Sequence, residues 1–256
     1  MNKSAVSRGA ARTLLLALLA SPAISSAAAP ETAPPSPIRS LAVVGRALLP
    51  RNLEVDGSRV GGLSGICWDE ASGKFWAVSD DRGQYGPVRL FRIRVDVAAG
   101  PKDGAAGPTV SATVERALPL TDLEGRPFAP GSIDPEGIAV VPGGFLVSTE
   151  AILHRGVPIV IGEFGQDGRQ TGQLRLPDAL LPGQGHGGRD NLGFEGLALS
   201  PSGRYLFAGL ENALEQDGPV ADSGVASPSR ILRFDRSSDG RPAEFVYLVE
   251  PVTPAP

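Results

Sequence analysis

Glu136-Gly137-Ile138-Ala139-Val140, a turn at Pro142-Gly143-Gly144, then Phe145-Leu146-Val147-Ser148-Thr149-Glu150: the reading of this stretch decides the fold. Short apolar runs on either side of a glycine-containing turn read as a β-hairpin. In the first run, bulky Ile138 and Val140 alternate with small Ala139. Successive strand residues point to opposite faces, so the pattern predicts a strand buried on both sides, one of them against a closely approaching sheet.

The layout occurs three times. Ser64-Gly65-Ile66-Cys67-Trp68 leads through a turn at Ser72-Gly73 to Phe75-Trp76-Ala77-Val78-Ser79-Asp80. Glu195-Gly196-Leu197-Ala198-Leu199 leads through Pro201-Ser202-Gly203 to Tyr205-Leu206-Phe207-Ala208-Gly209-Leu210-Glu211. The leading glycine and the closing acid lie 15, 13 and 15 residues apart in the three repeats. Further strands are expected around Val88 to Val95, Ile159 to Phe164, Arg230 to Phe234 and Phe245 to Val249, with charged positions toward solvent. No stretch after the N-terminal segment shows a 3.6-residue amphipathic period, and Pro and Gly interrupt nearly every candidate helix.

Repeated hairpins followed by outer strands predict an all-β chain and, within that class, a β-propeller. The repeats are spaced 72 and 59 residues apart, more than the ~40–50 residues of common propeller repeats. Gly/Pro-rich loop insertions at residues 98–112, 178–191 and 212–229 account for the excess. A β-sandwich with coincidentally similar hairpins is the alternative.

Composition narrows the chemistry. The 256 residues include 33 Gly and 24 Pro, without the three-residue glycine period of collagen. One cysteine, Cys67, and two histidines, His154 and His186, exclude an intrachain disulfide and the zinc sites built from several thiols or three imidazoles. The net charge of −4 argues against a nucleic-acid partner, which needs clustered positive charge. Lys3, Arg8 and Arg12 precede a short apolar run and an Ala-rich end at Ala27-Ala28-Ala29. That is the pattern of a secretory signal peptide over residues 1–29, and its apolar run is too short to span a bilayer. A Pro-rich linker is expected at 30–37, the folded domain at 38–256, and the mature chain in the periplasm or secreted, with no membrane span.

The closing and leading acids carry the candidate chemistry. In a hairpin the start of one strand lies beside the end of its partner. Each repeat therefore sets an acid pair, or Ser64 with Asp80, at one end of its sheet. Converging carboxylates repel unless a proton or cation lies among them. The expected metal ligands are Asp80, Asp81, Glu150, Glu211 and Asn212, and the expected cofactor is a divalent cation, Ca²⁺ by preference, since the chain supplies oxygen ligands. Glu136 and Glu195 are candidate catalytic carboxylates, or alternatively acids that pin the strand entry to backbone N–H groups. His186 could serve as acid or base and Arg189 as an anion clamp, or both could be solvated loop residues. A Ser64–His186–Asp190 triad can be written down, but Gly62-Leu63-Ser64-Gly65-Ile66 lacks the last glycine of a nucleophile elbow. Trp68 and Trp76 are expected to pack, and Cys67 to be an inert core thiol.

At Gly61-Gly62-Leu63-Ser64-Gly65, Ala77-Val78-Ser79-Asp80-Asp81-Arg82-Gly83, Asp134-Pro135-Glu136-Gly137-Ile138-Ala139 and Gly193-Phe194-Glu195-Gly196-Leu197-Ala198, the sequence resembles the phytase-like family, described as "esterase-like activity of phytase". The resemblance runs over roughly residues 40–250. It implies a β-propeller of secreted or envelope proteins bearing a hydrolase label. It also implies more blades than this chain holds, hence an incomplete or shortened ring. The Arg-His-Gly-x-Arg-x-Pro hallmark of the histidine acid phosphatases is absent; His154-Arg155-Gly156 does not reproduce it. The expected activity is hydrolysis of a phosphoric or carboxylic ester of small-molecule size, assisted by the cation. Two alternatives stand beside it: a lactonase-like propeller with one central ion, and a non-catalytic propeller binding an envelope ligand.

Overall fold

The hairpins form as the alternation predicts, and each continues into a four-stranded antiparallel meander. The computed structural model describes residues 39–100 and 107–253. The expected signal peptide and linker lie outside the described residues. Within the unit Val43–Pro256, a short ribbon of β1 (Glu54–Val55) and β2 (Ser58–Arg59) precedes three larger sheets. The first comprises β3 (Leu63–Asp69), β4 (Lys74–Ser79), β5 (Arg89–Ala98) and β6 (Thr109–Pro119). The second comprises β7 (Pro135–Val141), β8 (Gly144–Thr149), β9 (Ile161–Gly165) and β10 (Gln170–Gln173). The third comprises β11 (Phe194–Leu199), β12 (Tyr205–Leu210), β13 (Ser227–Asp235) and β14 (Ala243–Val249). The named strands pair antiparallel throughout, and the strand order within each of the three sheets is sequential. The fold is all-β, with four antiparallel sheets.

Two cores hold the three meanders face to face. Trp76, Val78 and Leu90 of the first sheet pack on Ile138, Phe145 and Val147 of the second. Ala139, Leu146 and Ile161 on the opposite face of the second sheet pack on Leu206, Ala208 and Leu232 of the third. The first strands of the repeats touch in turn: β3 meets β7, and β7 meets β11. Three sheets stacked through their first strands do not make the two-layer sandwich of the alternative reading.

The prediction of burial on both faces holds for the middle repeat, where Ile138 and Ala139 are both buried. It fails for the outer two, because among the described residues only β7 has a sheet on each side. Ile66 and Trp68 are 59% and 47% exposed, and Trp68 meets Phe75 edge to face. Trp76 is buried against Phe145, as expected. The loop expected at 98–112 contains the start of β6, and β10 was not anticipated. Both are rich in Thr, Ser, Gln and small residues, and are strands because a neighbouring strand pairs with them. A third cluster, with Val60 and Phe91 at its centre, covers the outer half of the first sheet with residues 49–60.

Candidate functional site

A β-bulge builds the site. In β7 the register slips between Pro135 and Gly137, so Glu136 has no cross-strand partner. The same slip falls between Phe194 and Gly196 around Glu195, and between Leu63 and Ile66 around Ser64 and Gly65. A bulge re-aims its extra side chain, here away from the pleat and toward the end of the sheet. The partner strand is tied back in each repeat by one backbone bond: Asp80 N–H to Gly62 O, Glu150 N–H to Asp134 O, and Glu211 N–H to Gly193 O, at 2.8–2.9 Å. Bulge and tie together put a leading and a closing polar side chain at the same end of each sheet.

Because the three first strands are neighbours, these ends form one acidic mouth. Ligand oxygens of Asp134, Glu136 and Glu150 lie within 4.8 Å of one another, and so do those of Glu150, Glu195 and Glu211. Glu150 belongs to both groups. Asp134, Glu136 and Glu150 are buried, while Glu195, Glu211 and Asp80 are exposed at the rim. Ser64 Oγ donates to Glu136 Oε2 at 2.5 Å, and Gly193 N–H donates to Glu150 Oε1 at 2.9 Å. Arg82 contacts Asp134 Oδ2 at 2.7 Å. The other oxygen of Asp134, Oδ1, is fully buried and has no hydrogen-bond partner.

Crowding sets the protonation of the cluster. Desolvation, opposed by the Ser64 hydrogen bond and reinforced by the charges of Glu195, Asp134 and Glu150, raises Glu136 to about 8. Desolvation in the bowl of the mouth and the charges of Glu150, Glu211, Asp134 and Asp80 raise Glu195 to about 7. Burial also pushes Asp134, Glu150 and Glu211 upward, in Asp134 against the pull of Arg82 and in Glu150 against the Gly193 N–H. Buried carboxylates with one orphaned oxygen and mutual repulsion fit a hard cation: they are oxygen donors, converging, and short of positive partners.

The remaining sequence candidates have other partners. Asp81 faces the buried guanidinium of Arg89 at 2.7 Å and accepts the Gly83 N–H. Asn212 is buried and accepts the Ala221 N–H. Arg189 donates to the carbonyls of Ala213 and Gly218 and so braces the loop after β12. His186 is exposed on its own loop, where its main chain pairs with Gly183. The Ser64–His186–Asp190 triad is not assembled. Ser64 donates to Glu136, and Asp190 accepts the Leu153 N–H and lies 3.7 Å from His154.

Asp134 and Arg82 are the site residues that sequence reasoning missed as functional. Their positions in the other repeats hold different residues, Gly62 and Gly193 in place of Asp134, so comparing repeats conceals them. Arg82 adopts a left-handed backbone at φ 50-odd degrees, 53°, which turns its side chain toward both Asp134 and Asn191.

An all-β chain whose stacked meanders gather carboxylates at one end is the class that fold and site define. The family model "Phytase-like: Esterase-like activity of phytase" matches residues 58–256, and the chain belongs to that family. No curated protein matches the chain. Among solved structures, a putative 6-phosphogluconolactonase from Bacteroides uniformis is similar at 17% identity and a TM-score of 0.32, over 78% of this chain and 46% of that one. The chain thus spans less than half the length of that structure.

Proposed function

We propose that the protein is an exported hydrolase of phosphoric or carboxylic esters whose active centre is the acidic mouth of a partial β-propeller, loaded with a divalent cation. One observation carries the reading: the buried, unpartnered Asp134 Oδ1 beside converging oxygens of Glu136 and Glu150. Asp134, Glu136 and Glu150 would hold the ion, with Glu195 and Glu211 completing a second set through Glu150. Bound there, a divalent cation supplies a Lewis acid for a phosphoryl or acyl oxygen and a more acidic water. Ca²⁺ suits an all-oxygen set.

The chain's own groups do the rest. Glu195, exposed at the rim beside the ligand set, can take a proton from an attacking water and return it to the leaving oxygen. Ser64 orients the Glu136 carboxyl through its hydroxyl. Arg82 holds Asp134 in place and limits the negative charge left when no cation is bound. Export rests on the basic, apolar and Ala-rich succession of residues 1–29, with placement in the periplasm or outside the cell.

The test is turnover of 4-nitrophenyl phosphate, 4-nitrophenyl acetate and δ-valerolactone by the purified chain, with Ca²⁺ and with chelator. Chelator-sensitive turnover of an ester that Glu150→Gln abolishes supports the proposal. Lactone turnover alone would point to the lactonase-like alternative. Ca²⁺-dependent stabilisation without turnover of any of the three would point to a binding propeller.

A further inference from the structure

At the end of the stack opposite the acidic mouth, the first and second sheets part around a groove of about 620 Å³. The turn Pro142-Gly143-Gly144 forms one lip, and Trp76, Phe145, Arg92 and Arg116 line the interior. β7 connects the two ends of the stack. Val140 lines the groove four residues beyond Glu136, which is roughly 13 Å along a strand. The volume is that of a site for a small organic molecule.

Two guanidinium groups share this groove. Trp76, Arg92 and Arg116 stand in one rank across β4, β5 and β6, so their side chains leave the same face of the first sheet. That face is turned to the second sheet, where Trp76 meets Phe145 at 4.9 Å. Like charges directly opposite each other on neighbouring strands destabilise the pair. The fold supplies little to offset this one. The register slips between Arg92 and Ile93, which leaves Glu115 without a cross-strand partner. Its carboxylate is divided among three cations: Lys74 at 2.7 Å, Arg94 at 3.2 Å and Arg92 at 3.4 Å. Arg92 Nε is buried and makes no hydrogen bond. Arg116 is exposed, and among the described residues it has neither an ion pair nor a hydrogen bond. The acids that line the groove are engaged within the first hairpin. Asp69 accepts the Ala71 N–H and the Ser72 hydroxyl, and Glu70 accepts the Trp68 indole N–H.

We propose that this groove binds a small organic anion, an apolar ring bearing one phosphate or carboxylate. The acid group lies between Arg92 and Arg116, and the ring lies along Trp76 and Phe145. A guanidinium presents a planar fork of donors that matches phosphate and carboxylate oxygens. Two forks on one rank take the two sides of one acid group, and the anion relieves the repulsion between them. The aromatic edge supplies the apolar wall that an inorganic ion would leave unused. The site is separate from the acidic mouth and does not rest on the hydrolase reading.

The chain's two tryptophans, Trp68 and Trp76, both line this groove, so indole fluorescence reports on it directly. The full chain is titrated with phenyl phosphate in the presence of chelator, which keeps cations out of the mouth. The expected result is a saturable change in tryptophan emission, at lower concentration than inorganic phosphate or phenol alone requires. Benzoate in a parallel titration shows which acid group the arginines prefer, and saturation by either supports the site. Arg116→Ala, at an exposed position, and Arg92→Gln should each fold by circular dichroism and raise the dissociation constant roughly tenfold or more. Glu150→Gln, at the mouth, should leave the titration unchanged. The proposal is overturned if neither phenyl phosphate nor benzoate gives a saturable change, or if neither arginine substitution weakens it. It is equally overturned if Glu150→Gln abolishes the change, because the anion then sits at the mouth.

Discussion

Glu150 is the residue on which the site turns. It is 3% exposed, shared by both carboxylate groups, and held by one N–H from the neighbouring repeat. Glu150→Gln keeps its shape and removes its charge. The expected result is loss of the Ca²⁺-induced rise in melting temperature, read by differential scanning fluorimetry with and without chelator. Asp81 is a different kind of acid. Its partner Arg89 is 1% exposed and also donates to the carbonyls of Pro87 and Arg59. Asp81→Ala leaves that guanidinium buried without its counter-charge, and stability should fall by about 3–5 kcal/mol in urea denaturation while the Ca²⁺ response of the folded fraction persists. The adjacent acids Asp80 and Asp81 are indistinguishable in sequence. Burial separates them, since one faces the mouth and the other a buried arginine.

At the scale of elements, the glycine of each first strand and the bulge beside it do the positioning. Gly137→Ala would drive a methyl group into Leu197 and Ser148, and overpacking of this kind costs about 1–3 kcal/mol. Gly196→Ala would meet nothing in the single chain. Chemical denaturation of the two variants should show a loss for the first and little change for the second. The hairpins, their turns and most strands are legible from alternation and glycine placement. The bulge is not, because a register slip is a property of two strands together and leaves no mark in the alternation of one. β6 was masked for a related reason: its burial alternates only in part, and its Thr, Ser and Ala residues read equally well as loop.

For the whole molecule, the convergence of acids makes stability depend on pH and on cations together. Glu136 and Glu195 titrate ordinarily near 4.5, and in the fold near about 8 and about 7. The folded chain therefore holds protons that the unfolded chain has released. The stability associated with their neutral forms is full below about pH 4.5 and declines as pH rises through 7 and 8. Cation-free protein should melt at progressively lower temperature from pH 5 to pH 8 in buffers of constant ionic strength. Ca²⁺ competes with those protons, so its stabilising effect should be greater at pH 8 than at pH 5. A melting temperature that climbs over this range without cation would show that the carboxylates are not crowded as the fold places them.

What the sequence determined by itself is local and periodic: three hairpins, strands of alternating burial, a hard-oxygen ligand inventory, and the family to which those motifs point. These are legible because strand geometry repeats every two residues and because turns demand glycine where φ is positive. What the tertiary structure decided is which acids meet. Asp134 and Arg82 joined the cluster, while Asp81, Asn212 and Arg189 took other partners and His186 is exposed on its loop. Electrostatic coupling falls off with distance in space, and residues 16 or 61 positions from Glu150 reach it alike, as Asp134 and Glu211 do. Only the stacking of one sheet on the next fixes that distance.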